Sequence, residues 1–173
     1  MRYAFLRAVN VGGRSKLPMR ELVAAAAAAG LGTTEFLLQS GNLAVHDSAL
    51  SDQELRAALE HLAAERFGVA TRTVLRTPKA LSDTLALNPY ADQPTVYLNM
   101  WDEEPTPTAV EELASSKFDD AAFHIVPGAM FILYAGQSHT SKLTNAFIER
   151  KLGVYATARN LRTLVRMLER WPA

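Results

Sequence analysis

Cysteine is missing from the 173 residues of this chain. That excludes disulfides, thiolate nucleophiles and zinc–sulfur sites. Net charge is missing too: 18 Lys and Arg balance 18 Asp and Glu. Sequence-independent nucleic-acid binding draws on a basic excess, which the chain as a whole lacks. There is no long apolar run either. The longest, Leu22 to Ala29, is mostly alanine and far too short to span a bilayer. No apolar stretch follows Arg2 as it would in a secretory leader. The expectation is a cytoplasmic protein with no membrane partner, no metal and no disulfide. The four histidines (46, 61, 124 and 139) lack helix-face metal spacing and an accompanying acidic cluster. His139, beside Ser141 and Lys142, is the one to consider for acid–base work, with a surface role the better reading. Paired carboxylates and a nucleophile–base spacing are also lacking, so whether the chain is an enzyme stays open.

What is present is the material for a core. Hydrophobic residues make up 49% of the chain, enough for one large domain or two small ones. Residues 2–9 read as a buried strand. A helix follows from about Pro18 to Ala29, with Gly30 suited to a left-handed cap. Strands over 34–38 and 43–46 flank the turn Gln39-Ser40-Gly41-Asn42. Ser51-Asp52-Gln53-Glu54 is a capping box. The helix behind it is apolar at 55, 58, 59, 62 and 63, and Gly68 ends it. Residues 71–76 form the next strand. The order is β-α-β-β-α-β, the ferredoxin-like motif of the α+β class.

The remainder reads as a second α/β half. Thr77-Pro78 opens a short helix, and 95–100 is a strand. A helix runs from the prolines at 105 and 107 to about Ser116. Residues 121–126 and 129–134 form a hairpin around Pro127-Gly128. Two C-terminal helices follow, one over 141–152 and one from near Asn160. The expected domains are 1–76 and 77–173, with a soft boundary because the halves can share one core.

Chemistry is sought first at the stretch Arg7 to Lys16. Paired glycines, Gly12 and Gly13, can leave backbone N–H groups uncovered. Their spacing matches neither a dinucleotide fingerprint nor a Walker loop. Three helix starts are basic: Arg14 and Lys16 before Pro18, Ser141-Lys142, and Arg159 to Arg162. A cation there opposes the helix dipole by a few tenths of a kcal/mol or more, unless an anion joins it. Gathered together, the three make one pocket for phosphate, carboxylate or a nucleotide; apart, they point into solvent. Asn10 and Asn42 sit beside glycine, where bonding their own turn is the commoner role.

A set of these stretches carries a resemblance. Leu6-Arg7-Ala8-Val9-Asn10-Val11-Gly12-Gly13, Leu38-Gln39-Ser40-Gly41-Asn42, Arg76-Thr77, Asn88-Pro89, Ser141-Lys142-Leu143-Thr144 and Thr157-Ala158-Arg159-Asn160 follow in order. The chain resembles the family called domain of unknown function 1697. The resemblance implies a two-part α+β fold with a ferredoxin-like N-terminal half and no assigned activity. Ala8 stands where the family more often has glycine, and Leu161 where it often has tryptophan. The second change removes an aromatic surface on which a base would stack.

Family motifs and basic helix starts coincide, which sets out a candidate binding site. Arg7 and Arg76 are charge clamps at strand ends. Gly12 and Gly13 offer N–H groups. Lys16, Lys142 and Arg159 neutralise an anion, while Ser40, Asn42, Ser141 and Asn160 orient it. Asn10 and Gly41 complete the set. The expected function is a binding module for a small phosphate- or carboxylate-bearing ligand, including nucleotides, in a cleft between the halves. One alternative is an RNA-binding sheet, for which Tyr3, Phe5 and Phe36 offer aromatics without an RNP1-like run. Another is an enzyme acting on a phosphorylated substrate at the same cleft. The ligand's identity and the oligomeric state are not legible.

Overall fold

A computed structural model describes residues 1–11, 16–91 and 93–172. The chain divides into two compact units, Met1–Leu81 with the segment from Arg170 onward, and Ser82–Glu169.

The first unit opens with strand β1 (Arg2–Leu6) and helix α1 (Met19–Ala28). Strands β2 (Thr33–Leu37) and β3 (Asn42–His46) follow, then helix α2 (Asp52–Phe67) and strand β4 (Thr73–Arg76). The antiparallel sheet has the order β2-β3-β1-β4. β1 is central, paired with β3 on one side and β4 on the other. Its residues alternate between faces. Ala4 and Leu6 join Leu43, Val45 and Leu75 in a core with Leu22 and Ala26 of α1 and Leu55 and Leu59 of α2. Tyr3 and Phe5 lie on the other face and are wholly buried. The capping box of α2 forms as its sequence demands: Ser51 Oγ accepts from the Glu54 N–H, and the Glu54 carboxylate accepts from the Ser51 N–H. Gly68 closes the helix at φ 65°. Gly30 likewise turns the chain after α1, at φ 73°.

Helix α3 (Pro78–Leu85) follows β4. In the second unit come strand β5 (Val96–Trp101), helix α4 (Pro107–Ala114) and the hairpin β6 (Ala121–Val126) and β7 (Ala129–Tyr134). After a 3-10 turn at Ser138–Thr140 come helix α5 (Asn145–Leu152), strand β8 (Ala156–Asn160) and helix α6 (Leu161–Arg170). The sheet order is β6-β7-β5-β8. This repeats the first unit with β5 in the place of β1, so the second half is itself β-α-β-β-α-β.

The strand that completes the repeat, β8, is passed over in the sequence between the two C-terminal helices. Ala-Thr-Ala-Arg-Asn has neither the alternation nor the β-branched content of a strand. It pairs because β5 offers a free edge to it. A second difference concerns α5, expected over 141–152. The helix begins at Asn145, because Thr144 Oγ1 accepts from the Phe147 N–H and caps it there. Ser141 is extended, and Leu143 is buried in the core with Ile148 and Leu152, which holds the preceding turn out of helix. Ser141 and Lys142 therefore precede the helix rather than start it.

The β2–β3 connection contains a glycine with no room for a side chain. Gly41 has φ 77°, and a Cβ added there would lie 2.5 Å from Val9 Cγ2 and 2.8 Å from Leu6 Cβ. Gly41→Ala must pay for both left-handed backbone and overpacking, about 2–4 kcal/mol together. Denaturant unfolding should show that loss, and a change under about 0.5 kcal/mol would contradict the packing described.

Candidate functional site

β1 ends at Leu6 because the chain turns sharply behind it. Ala8 and Asn10 both adopt φ 55°. Across the gap, Leu38 in the β2–β3 connection adopts φ 62°. Left-handed backbone costs a non-glycine residue of order 1 kcal/mol or more. Among the described residues four such positions occur, and three fall in these two loops. They persist because the loops are bonded to each other. The Asn10 side chain donates to Leu17 O at 2.9 Å and Gln39 O at 2.5 Å, and accepts from Leu17 N at 2.8 Å. Leu6 N donates to Gly41 O at 2.8 Å. Asn42, fully buried, donates to Leu37 O and Ser40 Oγ. Asn10 and Asn42 thus shape the loops and have little left for a ligand.

The same end of the unit carries exposed cations. Helix α1 follows Pro18, its N-cap residue, which supplies no side-chain cap. Lys16 and Arg20 flank that start, are exposed, and have no partner among the described residues. Glu21 in the first turn is the local acid. Ser40 is exposed on the facing turn, and Arg7 is half-buried, its backbone bonded to Arg72 O and Thr71 Oγ1. Gly12 and Gly13 lie outside the described residues. Arg76 is at the other end of the sheet. It pairs with Tyr3, four residues before Arg7, about 13 Å along a strand, and its Nη1 donates to Leu75 O.

In the second unit the sequence candidates divide. Ser141 Oγ accepts from Leu143 N at 3.1 Å. The Lys142 N–H donates to Asp120 Oδ2 at 3.0 Å, so a carboxylate of the chain already occupies that position. Arg159 is 8% exposed, and its Nη1 donates to Thr157 Oγ1 and Ala158 O. Burial lowers its guanidinium to about 10. Asn160 Oδ1 accepts from Arg162 N at 2.9 Å. Arg159 stands opposite Leu98 and Asn160 opposite Tyr97, so the two point to opposite faces of the sheet. They cannot both line one pocket from β8.

A pocket that the sequence did not suggest lies on the helix-bearing face of this sheet. It holds about 270 Å³ between β5, β7 and the segment leading into α5. Tyr97 and Tyr134 form one wall, their rings edge to face with centroids 5.6 Å apart. Asn99, Asn145 and His139 also line it. Asn99 is 1% exposed, donates to Asn145 Oδ1 at 2.8 Å, and its own Oδ1 is buried without a partner among the described residues. The available signal was an asparagine inside the apolar strand Val96–Trp101. A larger groove of about 770 Å³ runs along β6 beside α4, but no buried polar group without a partner lines it.

Residues 1–131 match the family described as proteins of unknown function, DUF1697. The chain belongs to that family. The matched stretch holds the Asn10 loop, the Gln39–Asn42 turn and β5; Ser141, Lys142, Arg159 and Asn160 fall beyond it. The fold is similar to that of the conserved bacterial protein SP0830 from Streptococcus pneumoniae, at a TM-score of 0.72 and 23% identity. The similarity covers 97% of each chain. No curated protein matches. Among the described residues no group of three or more His, Cys, Asp or Glu is placed to hold a metal ion, and no helix is long and apolar enough to cross a membrane.

Tyr134 provides a handle on the second-unit pocket. Burial, with added repulsion from Tyr97 and Asp120, pushes its phenol up from 10.0 to about 12. Its hydroxyl donates to Leu143 O. Below pH 10 the phenol is protonated in both the folded and unfolded chain, and its stabilisation is intact. Between pH 10 and 12 only the unfolded chain ionises, so roughly 2–3 kcal/mol of stability is lost. Denaturant midpoints across that range, compared with those of Tyr134→Phe, should show a shallower decline in the variant. Parallel declines would contradict the shift.

Proposed function

We propose that the protein is a binding module for a small anionic ligand, phosphate- or carboxylate-bearing, held at the loop end of the first unit. The observation that carries this reading is the start of α1. Lys16 and Arg20 flank that start in sequence and are exposed, and Pro18 supplies no side-chain cap. Uncapped N–H groups and the positive end of the helix dipole favour an anion. Two cations at the same place are repelled by that dipole unless an anion joins them.

Two further features support the reading. The Asn10 side chain ties Leu17, just ahead of α1, to Gln39 of the facing turn, so those residues need little ordering on binding. Ser40 and Gln39 are exposed on that turn, facing solvent at the same end of the unit. The alternative of RNA on the sheet face has less support. Tyr3 and Phe5 are wholly buried, so neither ring is free to stack on a base. Ser141, Lys142, Arg159 and Asn160 belong to the other unit, and the reading does not depend on them.

Thermal stabilisation by inorganic phosphate, sugar phosphates and nucleotides tests the proposal. A saturable shift that weakens with added salt is expected for at least one of them. Lys16→Ala should weaken that ligand about tenfold, the scale of one charge-assisted contact, and leave the melting temperature without ligand no lower, since a cation repelled by the dipole is removed. Absence of stabilisation by every anion at millimolar concentration would overturn the proposal.

A further inference from the structure

We infer that the pocket beneath α5 is a second binding site, for a small, neutral, planar molecule that presents an N–H₂ donor. This chemistry is shared by primary carboxamides and amino-bearing nucleobases. The site is separate from the proposed anion site and does not depend on it.

The side chain of Asn145 donates through Nδ2 to Ala156 O at 3.0 Å. Its Oδ1 is therefore the end that accepts from Asn99 Nδ2 at 2.8 Å. This relay fixes the orientation of both amides. A flipped Asn99 would set two carbonyl oxygens against each other. What remains is Asn99 Oδ1, an acceptor buried with no partner among the described residues. Buried polar atoms are satisfied in the great majority of cases, and an unsatisfied one calls for an explanation such as an absent ligand.

The surroundings select the ligand. Asn99 needs a donor, which a carboxylate or phosphate does not bring. No Lys, Arg, Asp or Glu lines the pocket, so neither an anion nor an ammonium finds a counter-charge there. Burial of a net charge without one is costly. The Tyr134 hydroxyl is already donated to Leu143 O, and its phenol stays neutral up to about 12. The Tyr97 hydroxyl has no partner among the described residues and can donate to a ligand carbonyl or ring nitrogen. The two rings offer an apolar wall for a flat molecule. At about 270 Å³ the space is just below the usual range for drug-sized ligands, which suits one ring, or two small fused rings, with one substituent. His139, exposed on the 3-10 turn, closes the rim.

The test compares isosteres that differ in the donor. Benzamide and methyl benzoate share ring and carbonyl, but only the amide offers N–H₂. Adenine and purine differ by the exocyclic amino group. Protein-observed NMR titrations of the full chain should show one donor-bearing probe binding at least tenfold more tightly than its partner, because a site built around a hydrogen bond rejects the analogue that lacks it. The side-chain amide signals of Asn99 and Asn145 should move on binding. Discrimination by the benzamide pair alone identifies a carboxamide site, and by the adenine pair alone a nucleobase site. Asn99→Leu should abolish discrimination. Should that variant not fold, Tyr97→Ala at the pocket wall should weaken the preferred probe about tenfold. Equal binding within either pair with no discrimination in the other, no binding by any probe, or shifts that map away from Asn99 and Tyr97 would overturn the inference.

Discussion

Each unit of this chain depends on its first strand, one of two paired along both edges. β1 lies between β3 and β4, and β5 between β7 and β8. A doubly paired strand has its backbone polar groups committed and its residues buried on both faces. In β1 the result is an unbroken apolar run, Tyr3 to Leu6, every residue at most 1% exposed. In β5 the run is interrupted once, by Asn99. The same constraint fixes where the chain leaves the sheet. After Leu6 it must turn at once, and the strained positions at Ala8 and Asn10 are the consequence. Both proposed sites therefore arise from the central strands: one where β1 releases the chain, the other where β5 buries an amide.

Legibility in the sequence follows from which residues had local reasons for their structure. The first unit could be read almost element by element. Ser51 and Glu54 cap α2 through their own side chains, and Gly30 and Gly68 sit in left-handed turns that only local chemistry decides. The hairpin β6–β7 was equally plain, because Pro127-Gly128 separates two apolar runs. β8 was not legible, since nothing in Ala156 to Asn160 prefers a strand and only the free edge of β5 makes it one. Nor was the true start of α5, where burial of Leu143 outweighs the helix signal before Thr144. The candidate site was legible in part. The motif loops do meet, through Asn10, but an asparagine beside glycine does not reveal that its amide will be spent across the loop on Leu17 and Gln39. The pocket at Asn99 needed the sheet register before its lining could be seen.

The two units share an element order but differ in where their polar groups go. In the first, asparagines hold loops together and leave cations exposed at a helix start. In the second, Lys142 already has a carboxylate of the chain at its amide, and Arg159 is buried in the sheet. The duplication thus supplies two scaffolds of one kind with different chemistry. Exposed basic residues around an uncapped helix suit an anion; a neutral pocket with an unmet acceptor suits a donor. Fold alone would not distinguish them.

The most direct measurement is an experimental structure determined from crystals soaked in sulfate. An ordered sulfate bound by the backbone N–H groups at the start of α1 and by Lys16, with the Asn10 side chain still bonded to Leu17 and Gln39, is the predicted result. Sulfate ordered elsewhere with that helix start left unoccupied, or an Asn10 side chain turned away from Leu17 and Gln39, would contradict it.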